Sequence, residues 1–92
     1  MSNVVRMINH RQKDLPLVKE SVRPFRMWNP QTKGQVPHRC YSDERRCHDK
    51  AMSIMRWDMK VGQSLEVIDV RYAKLLGTYT RRIDHIEFRG GK

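Results

Sequence analysis

The stretch SDERRCHDKAMSIMRWDMKVG, residues 42–62, decides the fold of this 92-residue chain. Only here do helix punctuation and a sustained helical period coincide. Ser42 can cap the first turn through its hydroxyl, and Asp43 and Glu44 then meet the positive end of the helix dipole. Gly62 can supply the left-handed residue that closes the helix. At about 100° per residue, Cys47, Ala51, Ile54, Met55 and Val61 share one arc, with Arg45, Asp49, Ser53, Arg56 and Lys60 opposite. One face must therefore be buried against a sheet. Asp58 falls inside the apolar arc at the unfavourable end of the dipole, so it pairs with a base or the helix stops a turn early.

The flanks read as strand. VRPFRMW alternates its apolar side chains, with Pro24 suited to an edge or a first position. NPQTKG places Pro30 in a turn, with Gly34 as its left-handed residue, and QVPHRCY returns with Val36, His38 and Cys40 on one side. Beyond Gly62, LEVIDVR and LLGTYTR pair across YAK, and a change of apolar phase puts a bulge near Arg81 and Arg82. IDHIEF either extends that strand or forms a short fifth one. The expected architecture is α+β, ββαββ: one four-stranded antiparallel sheet with a helix on one face and the other face open. Residues 22–89 form the single domain, residues 1–21 a basic arm weakly ordered on its own, and residues 90–92 a mobile end.

Nineteen Lys and Arg against ten Asp and Glu give a formal charge of +9 and a pI near 10.2. Such an excess points to an anionic partner, nucleic acid first and an acidic protein surface second. Up to Cys40, eight basic residues face only Asp14 and Glu20, so the N-terminal part carries the larger footprint. Arg23, Arg26, Lys33 and Arg39 of the first hairpin are the candidate phosphate contacts, with Arg81 and Arg82 as a second set. The outer helix face supplies a secondary patch, Arg45, Arg46 and Arg56, where Asp49 can pair with Arg45 or Arg46. Trp28, Tyr41, Trp57 and Tyr79 lie beside arginines, a pattern suited to stacking on bases, although at least two of these rings belong in a core. RNP-type aromatics, a GxxG clamp and a helix-turn-helix pattern do not occur, which favours backbone contact over base reading.

No enzymatic signature emerges. His38, Cys40, Cys47 and His48 are four zinc-competent side chains near the hairpin-to-helix junction, but adjacent helical residues diverge by about 100°. His38 with His48 and Asp49 likewise lacks the residues of a ββα nuclease. The expectation is therefore no metal, no cofactor, no small-molecule substrate and no catalysis. Two cysteines and no secretory or membrane-spanning run place the chain in a reducing cytoplasm, that of a host bacterium if the chain is phage-encoded.

The layout from VRPFRMWNPQTKG through SDERRCHDKAMSIMRW to EVIDVRYAKLLGTYTRR resembles the small phage-encoded anti-CRISPR proteins that inhibit type I-F surveillance complexes. No residue motif defines that group, so no site residue follows from the resemblance. What it implies is a target, the crRNA-guided complex gripped through its RNA and its Cas subunits, and a steric block of DNA binding. Two other readings remain: a DNA- or RNA-binding regulator, and a protein-only inhibitor of an acidic host enzyme.

Overall fold

The computed structural model describes residues 15–91. Its elements are β1 (Phe25–Asn29), β2 (Gly34–Tyr41), α1 (Glu44–Trp57), β3 (Ser64–Asp69), β4 (Lys74–Arg81) and β5 (Ile86–Gly90). They form one antiparallel sheet in the order β2-β1-β3-β4-β5, with α1 crossing one face from β2 to β3. The α+β class and the single helix are as the residue pattern predicts, but the sheet has five strands. Arg82 N–H closes on the His85 carbonyl at 2.8 Å, and this tight reversal separates IEFRG from β4 as a strand of its own.

The β1–β2 and β3–β4 hairpins are built alike. Asn29 and Asp69 end their strands, and each side-chain Oδ1 accepts from the backbone N–H two residues on, at 2.9 Å in both turns. The left-handed positions are Lys33 (φ 54) and Ala73 (φ 50), so Gly34 is not the left-handed residue but the first of β2, paired with Asn29. The bulge of the second hairpin lies at Leu76, between the Val67–Gly77 and Ile68–Leu75 pairs, rather than at Arg81 and Arg82. A Cβ at Gly77 would run into the Phe88 ring, so a larger residue there requires that ring to shift. A larger irregularity breaks β2: between the Arg26–Cys40 and Trp28–Gln35 pairs, Met27 faces four residues of the partner strand, with His38 left-handed at φ 62. The expected phase of Val36, His38 and Cys40 is lost there. Val36 packs against the core under α1, whereas Gln35 and Cys40 meet on the opposite face.

The cap of α1 is Asp43, not Ser42; its carboxylate accepts from Arg45 N–H at 3.1 Å. The helix stops at Trp57 with Asp58 as C-cap, the early stop that Asp58 implied. Gly62 (φ 92) therefore turns the linker into β3 and does not close the helix, and Val61 lies exposed instead of on the buried arc. Cys47, Ala51 and Met55 are fully buried against Met27, Leu65, Val67 and Tyr79, and Ile54 lies at the margin of this core.

The opposite face of the sheet is not open. Leu15, only 7% exposed, packs with Ile68 and Val70, and with half-buried Trp28, Ala73 and Leu75. Val18 N–H donates to the Val70 carbonyl at 2.7 Å, which ties residues 15–18 to the end of β3. This part of the expected arm is thus packed on the sheet, while its residues 1–14 lie outside the described residues. Glu66, central on the same face, is fully buried. At the other terminus, β5 reaches Gly90, and Gly91 N–H donates to the Leu76 carbonyl at 2.7 Å. Pro24 immediately precedes β1, an interior strand, and its carbonyl accepts from Val70 N–H at 2.9 Å.

Truncation should report the orientation of α1. Met55→Ala is expected to destabilise by about 2–5 kcal/mol, and Trp57→Ala, 76% exposed in the wild type, by no more than about 0.5 kcal/mol, as measured by urea denaturation.

Candidate nucleic-acid interface

Tertiary contacts divide the basic side chains into two groups. In the first, the guanidinium is committed to the fold. Arg26 donates to the Arg23 carbonyl, to Gln35 Oε1 and to Ser21 Oγ, each at 3.3 Å, and so pins residues 21–23 and β2 to β1. Arg81 donates through one terminal nitrogen to the Met55 and Arg56 carbonyls, both at 2.9 Å. It satisfies orphan carbonyls at the negative end of α1, which makes it a helix cap. Arg82 pairs with Glu87 at 2.8 Å, and Arg89 reaches the other oxygen of that carboxylate at 3.0 Å. Glu87 is accordingly held below the usual carboxylate range by its hydrogen bonds from Arg82 and Arg89.

Arg71 belongs to the same group. Its Nε and NH2 grip both oxygens of Asp69 at 3.1 and 2.8 Å, while its backbone N–H also reaches Oδ1. The guanidinium lies 5.3 Å from the centroid of the Phe25 ring and 5.4 Å from that of Tyr72. Asp69 is buried, and the Arg71 hydrogen bond holds its carboxyl below the usual range against the opposing effect of burial.

The second group consists of cations whose side chains make no ion pair or hydrogen bond among the described residues: Lys19, Arg23, Lys33, Arg39, Arg45, Arg46, Lys50, Arg56, Lys60 and Lys74. Of the first-hairpin set, Arg23 and Lys33 sit in the lead-in to β1 and in the turn, and Arg39 is half-buried beside the β2 bulge. They lie on different elements, and Arg26 is not available. The helix set is more coherent. Arg45, Arg46, Lys50 and Arg56 are all exposed on one rigid element, and Asp49 pairs with neither Arg45 nor Arg46. Arg46, Lys50, Ser53 and Trp57 recur at i, i+4, i+7 and i+11, the spacing of one line along a helix. Trp57 is the exposed ring of the four aromatics singled out, since Tyr79 is in the core and Trp28 and Tyr41 are half-buried. It ends the line at the C-terminal turn, beside Arg56.

The metal-competent residues are dispersed. Among the described residues no three His, Cys, Asp or Glu side chains come together as a metal site. Cys47 lies on the buried underside of α1, where desolvation pushes its thiol up to about 12, while Cys40 is half-buried on β2. His48 is engaged in a chain that residue spacing did not reveal: its Nδ1 lies 2.7 Å from the Tyr79 hydroxyl and its Nε2 3.3 Å from Glu44 Oε2. The ring also stands edge-on to Tyr79 and Phe88. Burial raises the Tyr79 phenol above its ordinary range.

No family model, curated protein or solved structure matches this chain. Among the described residues, no helix is long and apolar enough to cross a membrane.

The Asp69–Arg71 pair sets an acid limit. Because the folded carboxyl titrates below its unfolded value of about 4, its contribution is complete above that pH and is lost as pH falls through the folded value. Stability of the wild type should fall below about pH 4 more steeply than that of Asp69→Asn, which is less stable at pH 7, as read from urea midpoints across the two pH values.

Proposed function

We propose that this chain is a non-catalytic docking protein that binds the phosphate-rich surface of a ribonucleoprotein through the outer face of α1 and blocks that surface sterically. The observation that supports this reading is the ordered, uncommitted cation set Arg45, Arg46, Lys50 and Arg56, with the exposed ring of Trp57 at its end. Guanidinium groups free of intramolecular partners can engage phosphates, and an exposed indole can stack on an unpaired base. The secondary patch of the residue pattern thus becomes the principal one. Lys33 and Lys60 extend it toward the end of the molecule where the β1–β2 turn and the C-terminus of α1 lie. On the resemblance to anti-CRISPR proteins, the ribonucleoprotein is a type I-F surveillance complex, contacted through crRNA and Cas subunits.

Binding of this kind is dominated by counterion release. Arg45→Glu/Arg46→Glu/Arg56→Glu is expected to weaken association with the crRNA-loaded complex by at least about 100-fold and to flatten the salt dependence by about three counterions. Gel shifts against free RNA, free duplex DNA and the loaded complex identify the partner: preference for the loaded complex supports the proposal. Equal affinity for naked DNA points instead to a regulator acting directly on DNA. Binding that survives both nuclease and high salt overturns the phosphate reading in favour of an acidic protein target.

A further inference from the structure

The two outer edges of the sheet are built differently. The β2 edge is broken by its bulge, by Pro37, which has no N–H, and by the left-handed His38. These are devices that protect an edge from pairing with another chain. The β5 edge, Ile86–Gly90, has neither proline nor bulge, and its register with β4 is regular throughout.

The hydrogen-bond parity shows what β5 presents. Opposed residues of an antiparallel ladder alternate between bonded and non-bonded pairs. Arg82 with His85, and Leu76 with Gly91, are bonded at the two ends of the β4–β5 ladder. Stepping inward, Thr80–Glu87 and Thr78–Arg89 are bonded pairs, and Arg81–Ile86, Tyr79–Phe88 and Gly77–Gly90 are not. The backbone N–H and C=O groups of Ile86, Phe88 and Gly90 therefore point away from β4, toward an edge that no strand of the described residues covers. The side chains of Ile86 and Phe88 lie on the helix side, and Phe88, 49% exposed, rests against Tyr79 with ring centroids 4.7 Å apart.

We infer that β5 pairs antiparallel with β5 of a second copy of this chain, about a two-fold axis at Phe88. The segment IEFRG is self-complementary in that register. Phe88 faces Phe88 of the second copy, and their outward N–H and C=O groups bond reciprocally, as do those of Ile86 and Gly90. Glu87 of each copy stands opposite Arg89 of the other, so both cross-strand pairs join opposite charges. Ile86 meets Gly90, where a Cβ would find nothing within 4 Å, so the isoleucine has room. A two-fold axis perpendicular to the sheet keeps both helices on the same face. The dimer thus doubles the cation surface of α1 without covering it. The inference stands on the edge alone and is independent of the phosphate reading.

One short strand per copy makes a small interface, for which a dissociation constant in the micromolar range is expected. Sedimentation of the full chain should show a concentration-dependent monomer–dimer equilibrium. Arg89→Glu alone and Glu87→Arg alone should each raise the dissociation constant by about tenfold or more, because like charges then face each other. An equimolar mixture of the two variants should recover wild-type affinity, since one chain offers two carboxylates where the other offers two arginines. Gly90→Pro removes an outward N–H without touching the β4 ladder and should abolish the dimer, while an unchanged thermal melt shows that the monomer is intact. A wild-type chain that remains monomeric at about 100 μM would overturn the inference. So would a dimer indifferent to Gly90→Pro, or a mixture no tighter than either charge variant alone.

Discussion

The structure depends on how closely α1 lies on the sheet. Cys47 and Ala51 are small, and their complete burial brings the helix down onto Met27, Leu65, Val67 and Tyr79, with Met55 filling the space at its C-terminal half. This seam fixes the rotation of the helix. Once Cys47, Ala51 and Met55 point down, Arg45, Arg46, Asp49, Ser53 and Arg56 point outward by helical geometry, and Glu44 and His48 turn toward β4 and β5. The same seam places the end of α1 where Arg81 can cap its carbonyls, coupling β4 to the helix through a charge-assisted contact.

Much of this was legible in the residues because the signals were local. The apolar arc at a period near 3.6 located α1, and Pro30 in NPQTKG and the YAK reversal located the β1–β2 and β3–β4 turns. The left-handed residues were harder to read, since Lys33 and Ala73 occupy positions where glycine is the usual occupant. Leu15 opens a short apolar cluster, Leu15 to Val18, interrupted by Pro16 within the expected arm. Its burial depends on Ile68 and Val70, more than fifty residues away in the chain, and no window around Leu15 carries that information.

The division of the arginines was not legible for the same reason. Arg26, Arg81 and Arg56 look alike as basic residues beside apolar ones. Only the fold brings Gln35 and Ser21 to Arg26 and the helix carbonyls to Arg81, while leaving Arg56 in solvent. Charge counted along the chain favoured the N-terminal part; charge free to leave the fold favours α1. An arginine already holding two or three internal acceptors must abandon them to reach a phosphate, whereas one on an open helix face exchanges only water.

The proposed placement of a binding surface on the outer face of α1, rather than on the first hairpin, is tested most directly by a residue-resolved footprint. Nitrogen–proton correlation spectra recorded while a short crRNA-like oligonucleotide is added should show the largest shifts at the amides of Arg45, Arg46, Lys50 and Arg56 and at the Trp57 indole. The β1–β2 hairpin should remain nearly still outside the turn at Lys33. Shifts concentrated at Arg23, Arg26 and Arg39 with α1 unmoved would contradict the account.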